Sequence, residues 1–295
     1  MIPERYLLTG SEGFLGRSLR GKATVSGVVL RCVDIAPSSR ADYVRLDLVE
    51  EPESLSRLMA DFAPEVVIHA AWSGGDVPAL TRNLTATWNV LQAVANSGVN
   101  PLVVTIGSAA EYGAQRDDPI PETVRELPLG PYGVFKLAQS RLVHLAGKGG
   151  RRATVLRLFN LIGPGMSRSL APAQFMEQLR QVGRGERSTV EFGGLSGVRD
   201  YLYVEDVADT ILKLTKVDAL PETVNICSGR GVRMADMLDE MARQLGVPVV
   251  HGPQRTLPQI QVERSVGSTE RLLSLLGSVP TFDLREAVRL SLSGV

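Results

Sequence analysis

Apolar positions along the chain follow two alternating rhythms. Short runs with almost no polar interruption occur at Tyr6-Leu7-Leu8-Thr9, Val28-Val29-Leu30-Arg31-Cys32-Val33, Tyr43-Val44-Arg45-Leu46, Val66-Val67-Ile68, Leu102-Val103-Val104-Thr105-Ile106, Thr154-Val155-Leu156-Arg157-Leu158 and Val224-Asn225-Ile226-Cys227. Such runs suit parallel strands covered on both faces. Between them the apolar residues recur at helical spacing. Leu55, Leu58, Met59 and Phe62 follow Pro52 and stop at Pro64, and in segment 80–95 Leu84, Trp88, Leu91 and Val94 or Ala95 share one face, expected to meet the core or a partner subunit. Helices are also expected over Phe175, Met176 and Leu179, from Val204 onward, and near 234–245, 269–276 and 284–292. Strands alternating with helices predict an α/β fold, a doubly wound parallel sheet with helices on both faces.

The first strand runs directly into Gly10-Ser11-Glu12-Gly13-Phe14-Leu15-Gly16, and a helix follows. Glycines at this spacing allow a tight turn, a close approach to a pyrophosphate and the packing of helix on strand, while the helix N-terminus presents amides and a positive dipole. The second strand ends on Asp34, eighteen residues beyond Gly16, where a carboxylate can accept from the adenosine ribose hydroxyls and would repel a 2′-phosphate. This context predicts a Rossmann-type dinucleotide site. It favours NAD; NADP is not excluded, since Arg40 in the next loop could meet a phosphate, and the bland alternative for Asp34 is a turn residue before Pro37. The expected cofactor residues are Gly10, Gly13, Phe14, Leu15 and Gly16 in the loop, Asp34 and Ile35 after the second strand, Asp47 and Leu48 after the third, and Ala70 and Ala71 after the fourth. His69 reads as a packed, hydrogen-bonded histidine.

The fifth strand delivers Ser108 to the same edge of the sheet. Beyond a proline-rich loop, Tyr132 and Lys136 stand four apart on a helix and share a face. Bringing a phenol from a pKa of ~10 to neutrality takes roughly 4 kcal/mol, which a cation about 4 Å away supplies at an effective dielectric near ~20. Ser108 to hold a substrate oxygen, Tyr132 to exchange its proton, and Lys136 to hold the nicotinamide ribose and lower the phenol form a hydride-transfer site. After Gly163 the rhythm breaks, which suggests a dinucleotide-binding domain of residues 1–163 plus about 201–230, and a smaller substrate-binding lobe of 164–200 and about 231–295.

The chain has 295 residues, 44% hydrophobic and 22% charged, and its 32 basic and 32 acidic side chains leave no net field for nucleic acid or an anionic membrane. Cys32 and Cys227 lie far apart in apolar strands and read as buried thiols rather than a disulfide or metal pair. No basic leader precedes the first strand and no apolar run nears ~18 residues, so a cytoplasmic location is expected.

Taken together, Gly10-x-x-Gly13-x-x-Gly16, Asp34, Asp47-Leu48, His69-x-Ala71, Ser108 before Tyr112-Gly113, Tyr132-x-x-x-Lys136, Arg157-x-Phe159-Asn160 with Gly163-Pro164, and Arg199-Asp200 resemble the extended short-chain dehydrogenase/reductase family of sugar-nucleotide enzymes. Within it, Thr105-Ile106-Gly107-Ser108, Glu111-Tyr112-Gly113, Phe159-Asn160-Leu161-Ile162-Gly163-Pro164-Gly165 and Asn225-Ile226-Cys227-Ser228-Gly229 are most similar to the reductases of GDP-4-keto-6-deoxy-mannose. The resemblance implies hydride transfer at a sugar carbon by Ser108, Tyr132 and Lys136. It places Asn160 and Arg199 near a nucleotide diphosphate, and Trp72, in an unusually short loop, beside Ser108 in the substrate site. It also implies a homodimer formed through segments 80–95 and 132–145. Dehydration is not expected, because Ala109-Ala110 stands where the family's dehydratases carry an acidic pair. An arginine usual in the segment matching Leu257-Pro258-Gln259 is missing, so Arg255 or Arg264 would have to replace it. The leading expectation is reduction of a 4-keto sugar nucleotide, against a 4-epimerase using the same residues twice and a non-catalytic dinucleotide sensor, which the presence of Tyr132 and Lys136 disfavours.

Overall fold

A computed structural model describes residues 4–74, 76–191, 195–249 and 262–293. In chain order the first half is β1 (Arg5–Thr9), α1 (Phe14–Val25), β2 (Val29–Asp34), β3 (Tyr43–Arg45), α2 (Pro52–Phe62), β4 (Val66–His69), α3 (Val77–Asn96), β5 (Leu102–Ser108) and α4 (Pro131–Lys148). The second half is β6 (Ala153–Leu158), β7 (Asn160–Ile162), α5 (Ala171–Gly183), β8 (Val198–Tyr203), α6 (Val204–Leu214), β9 (Thr223–Ile226), β10 (Gly231–Arg233), α7 (Met234–Leu245), β11 (Arg264–Ser265), α8 (Glu270–Leu276) and α9 (Leu284–Ser293). Seven parallel strands form the main sheet in the order β3-β2-β1-β4-β5-β6-β9. The order reverses between β1 and β4, and that is where a crevice opens at the carboxyl edge of such sheets.

Proline starts α2, α3, α4 and α5 at a first-turn position, where the missing amide costs nothing. One face of the sheet buries Leu19 and Ala23 of α1 with Val207, Ala208 and Ile211 of α6. The other buries Leu55 and Met59 of α2 with Ala86, Val90 and Val94 of α3. A separate core joins Phe175, Met176 and Leu179 of α5 to Met237, Leu238 and Met241 of α7, and to Ala287 and Val288 of α9.

One expectation is corrected and another narrowed. β8, read from sequence only as the approach to α6, is the centre of a small second sheet and pairs with β7, β10 and β11. Its partners are short and distant in sequence, so no local alternation marks it. In α3 the buried positions include Leu80, Asn83, Thr87, Val90, Leu91 and Val94, whereas Trp88 is exposed. The helix is turned so that two polar residues face inward, for reasons that lie in the site. Among the described residues no helix is long and apolar enough to cross a membrane.

Candidate active site

Gly10 leaves β1 with φ +73°, and a Cβ on it would stand 2.5 Å from the Ala71 backbone nitrogen. A Cβ on Gly16 would stand 2.0 Å from the Gly10 carbonyl oxygen. Only glycine satisfies both contacts, so α1 packs directly on the turn with its amide end toward the crevice. At the end of β2 the Asp34 carboxylate accepts from the Glu12 amide at 2.9 Å and the Ala36 amide at 3.1 Å. With Ile35, Asp47, Leu48, Ala70, Ala71 and Trp72 these residues line a cavity of about 280 Å³. Asp47 is held there by its own contacts: one oxygen accepts from the Val49 amide at 2.8 Å and the other from Arg82 at 2.8 Å. A glycine turn under a helix N-terminus, with a carboxylate at the far end, fits a dinucleotide.

Gly10, Gly13, Ala70 and Trp72 also line a second, larger cleft of about 780 Å³, which contains Phe14, Leu15, Gly16, Ser108, Tyr132, Lys136, Asn160 and Arg199. The residues expected from sequence to bind cofactor or substrate therefore line one of two adjoining cavities, apart from the diphosphate-binding stand-ins Arg264 and Arg255, the latter outside the described residues. Ser108 caps a single 3-10 turn, Ala109–Glu111, its hydroxyl accepting from the Ala110 amide at 3.2 Å, and it lines the cleft beside Tyr132. The edge of Trp72 meets the Tyr132 ring at 5.6 Å between centroids. Partial enclosure in the cleft raises the phenol above its ordinary value; the Ser108 contact opposes this and the Glu111 charge adds to it.

Lys136 differs from its expected placement. Its ammonium does not neutralise the phenol: Nζ donates to the Ile106 carbonyl at 2.8 Å and to Gln139 Oε1 at 3.0 Å, and lies 3.7 Å from the centre of the Trp72 ring. Burial lowers its pKa to about 7, with Glu111 pulling the other way. The i, i+4 spacing puts both side chains on one face, but Ile106 of β5 and Gln139 of α4 itself offer the lysine better acceptors than the phenol does.

Those acceptors belong to a chain of buried hydrogen bonds that sequence reasoning missed. Gln139 Nε2 donates to Thr87 Oγ1 at 2.9 Å, Thr87 donates to the Asn83 carbonyl at 2.9 Å, and His69 lies between Thr87 at 3.0 Å and Thr9 at 2.8 Å. Since the Thr87 proton goes to Asn83, His69 Nε2 must donate to Thr87 and Nδ1 must accept from Thr9. His69 is a neutral Nε2-H imidazole, its pKa lowered to about 3 by burial and by Lys136, and it is packed and hydrogen-bonded as expected. The chain explains why Thr87 faces inward on α3; Asn83 does so to meet Ser73, accepting from its amide at 2.9 Å and donating to its carbonyl at 2.8 Å. The available sequence signal was polar residues at buried-phase positions of two helices.

A lysine held below its unfolded pKa binds fewer protons folded than unfolded between about pH 7 and the ordinary value near ~10.4, so its contribution to stability improves as pH rises through that window. Lys136→Met removes this dependence. The stability of the variant relative to wild type is thus expected to decline from about pH 7 to about pH 9, as read from urea midpoints; a constant difference would contradict a depressed lysine.

In the outer cleft, Asn160 Nδ2 donates to the Asp200 carbonyl at 3.0 Å. The Asp200 carboxylate accepts from Ser228 N, Ser228 Oγ and Gly229 N at 2.6–2.9 Å and so ties β8 to the loop after β9. Arg199 is half-buried, its guanidinium bonds to carbonyls of Val198 and Glu263, and burial lowers its pKa. It faces the cleft as a cation able to meet a phosphate. Arg264 is ion-paired to Asp118 and does not line the cleft; Arg255 and Leu257-Pro258-Gln259 lie outside the described residues. Cys32 and Cys227 are buried free thiols, both pushed up by burial, Cys32 to about 11.

A family model described as the NAD dependent epimerase/dehydratase family matches residues 6–227. The chain belongs to that family. Among curated proteins it is 30% identical over 306 residues to a GDP-6-deoxy-D-mannose reductase of Pseudomonas aeruginosa, covering 99% of this chain and 97% of the relative. It is 29% identical over 306 residues to a dTDP-6-deoxy-L-talose 4-dehydrogenase (NAD(P)(+)) of Kitasatospora kifunensis, covering 97% and 94%. Among solved structures it is similar to that of RMD from Pseudomonas aeruginosa complexed with NADPH, with TM-score 0.85 and 29% identity over 99% of this chain and 98% of that one. The chain is accordingly an NAD(P)-dependent enzyme of the epimerase/dehydratase family. Positions 109 and 110 are alanine, and the next acid, Glu111, is fully buried.

Asp34 gives a direct test of the cofactor end. Asp34→Asn keeps an oxygen for the Glu12 and Ala36 amides but removes the charge. A charged acceptor contributes about 1.5–3 kcal/mol per hydrogen bond, so NAD affinity is expected to fall at least roughly tenfold while NADP affinity rises. Isothermal titration with both dinucleotides checks this, and an unchanged ratio would mean that Asp34 does not read the ribose.

Proposed function

We infer that this enzyme reduces the 4-keto group of a nucleotide-linked 6-deoxy sugar. The observation that carries the reading is the meeting of Ser108, Tyr132 and Lys136 at the end of β5, in a cleft continuous with the Asp34 cavity and without a second acid at positions 109 and 110. When bound, a reduced nicotinamide supplies the hydride to C4 of the sugar. Ser108 and Tyr132 hold the carbonyl oxygen, and Tyr132 gives that oxygen its proton as the alcohol forms. A phenol raised above its ordinary value is protonated at neutral pH, as a proton donor must be. Lys136, anchored by Ile106 and Gln139, would hold the nicotinamide ribose, and Asn160 and Arg199 would receive the nucleotide diphosphate. Trp72, at the neck between the cavities, contacts both ligands.

The cofactor is NAD. Asp34 points at the ribose end, and Arg40, the one residue read as able to rescue a 2′-phosphate, is ion-paired to Asp42 with Glu12 at 3.9 Å. Residues 1–163 with about 201–230 bind the dinucleotide, and 164–200 with about 231–295 cover the sugar nucleotide. The enzyme works in the cytoplasm as a homodimer through α3 and α4, whose outward faces expose Trp88, Val134 and Leu145. Preference for NAD also supports a second reading, a 4-epimerase that keeps the cofactor through turnover. The test is to denature the purified enzyme, identify any released dinucleotide by chromatography, and assay reduced-nicotinamide consumption with 4-keto-6-deoxy sugar nucleotides. An empty protein that consumes reduced cofactor supports the reductase; stoichiometric bound NAD with no net consumption supports the epimerase; NADP in its place would overturn the reading of Asp34.

A further inference from the structure

Beneath the reacting groups lies a charge that the reaction as described does not use. Glu111, the last residue of the 3-10 turn that begins after Ser108, has a fully buried side chain. Its Oε1 accepts from the Ser108 backbone amide at 2.8 Å, and its Oε2 accepts from Ser140 Oγ at 2.8 Å and Arg157 Nε at 2.8 Å. Arg157, itself fully buried on β6, lies over the Tyr112 ring and donates with its other arm to Glu126 at 2.7 Å, which in turn is ion-paired to Arg141 at 2.8 Å. The pocket for the carboxylate exists because its neighbour on β5 is Gly107, paired in register with Arg157. A Cβ there would come within 2.8 Å of Glu111 Oε1 and 3.3 Å of Arg157 Cγ. A carboxylate costs several kcal/mol to bury and is tolerated only with full hydrogen bonding. Burial raises the Glu111 carboxyl above its ordinary value, and three donors, led by the Arg157 guanidinium, oppose that rise and favour its charged form.

We propose that Glu111 is a positioning residue of the active site: its carboxylate fixes the backbone of Ser108, and its buried charge sets the pH range over which Tyr132 and Lys136 work. This rests on the reading of Ser108, Tyr132 and Lys136 as the catalytic set. A bond to the Ser108 amide locks the residue whose hydroxyl meets the substrate oxygen beside Tyr132. The charge acts through the low-dielectric space under α4 and favours the protonated form of both Tyr132 and Lys136. For Lys136, pushed down by burial, Glu111 supplies the opposing pull. The other ionisable groups packed around this centre are Arg157 from β6, Glu126 and Glu122 from the loop before α4, Tyr112 beside Glu111, Arg141 and His144 farther along α4, and the neutral His69 from β4. Arg157 and Glu126 balance each other when Glu111 is neutralised, so its charge can be removed without stranding the guanidinium.

The test is the pH profile of kcat for ketone reduction in wild type, Glu111→Gln and Tyr132→Phe. Glutamine keeps an oxygen for the Ser108 amide and loses the charge. The alkaline limb, where Lys136 or Tyr132 loses its proton, is expected to move to lower pH by about one unit, with kcat at neutral pH falling severalfold. A purely structural role would lower kcat at every pH without moving the limb, and that result, or an unchanged profile, overturns the proposal. Should Glu111→Gln fail to fold, the double variant Glu111→Gln/Arg157→Met removes both charges together and is expected to show a smaller acid shift, since loss of the cation offsets part of the loss of the anion; no shift at all overturns the proposal. Absence of turnover in wild type, or full turnover in Tyr132→Phe, would instead sink the catalytic assignment, so the two failures are distinguishable.

Discussion

Replacing Tyr132 with phenylalanine lowers turnover by about 10²–10⁴-fold, the range contributed by a positioned proton donor, and leaves dinucleotide affinity unchanged. The substitution removes one oxygen. The ring keeps its edge contact with Trp72 at 5.6 Å, Lys136 keeps its anchors on Ile106 and Gln139, and the glycine turn and Asp34 are not touched. What goes is the proton that the nascent alkoxide needs. Single-turnover measurements with a saturating substrate would separate the effect on chemistry from binding. Turnover within severalfold of wild type would mean that water or Ser108 supplies the proton and that the raised phenol is only a packing residue.

Arg157→Ala is expected to have the largest effect on stability. The guanidinium is fully buried between Glu111 and Glu126, and removing it leaves a buried carboxylate without its cation, which costs about 3–5 kcal/mol. For a chain of this size that corresponds to a fall of roughly 10 °C in Tm. The pH dependence identifies the cause. In the variant, the Glu111 carboxyl is pushed further above its unfolded value, so its folded form binds a proton that the unfolded form has released. The contribution of this group is then intact below the unfolded pKa and lost as pH rises through the folded one. The deficit against wild type should therefore be smaller near about pH 5 than near about pH 8. Chemical denaturation at the two pH values measures it, and a loss below about 1 kcal/mol, the value of an exposed pair, would show that the triad is not acting as a buried ion pair.

Much of the molecule was written locally. Unbroken apolar runs such as Val66-Val67-Ile68 and Leu102-Val103-Val104 can only be strands covered on both faces, and Gly10, Gly13 and Gly16 between a strand and a helix define their turn by sterics alone. The acid at Asp34 and the Tyr132–Lys136 spacing were equally readable, because strand length and helical period fix where those side chains emerge. All of these depend on neighbours within a few residues.

The polar interior depended on the tertiary structure. α4 turns Lys136, Gln139, Ser140 and His144 inward and leaves Val134 and Leu145 exposed, the reverse of what apolar periodicity predicts. That orientation is set by partners far away in sequence: Thr87 on α3 for Gln139, the Ile106 carbonyl for Lys136, and Glu111 for Ser140 and Arg157. The same partners draw the lysine away from the phenol and replace a simple cation–phenolate pair with a lysine depressed by burial and a buried carboxylate opposing that depression. Hydrophobic periodicity reports which face a helix would bury against oil. It carries no information when the facing surface is a set of hydrogen-bonding groups, whose positions follow from strand register and helix rotation and exist only once the sheet is assembled.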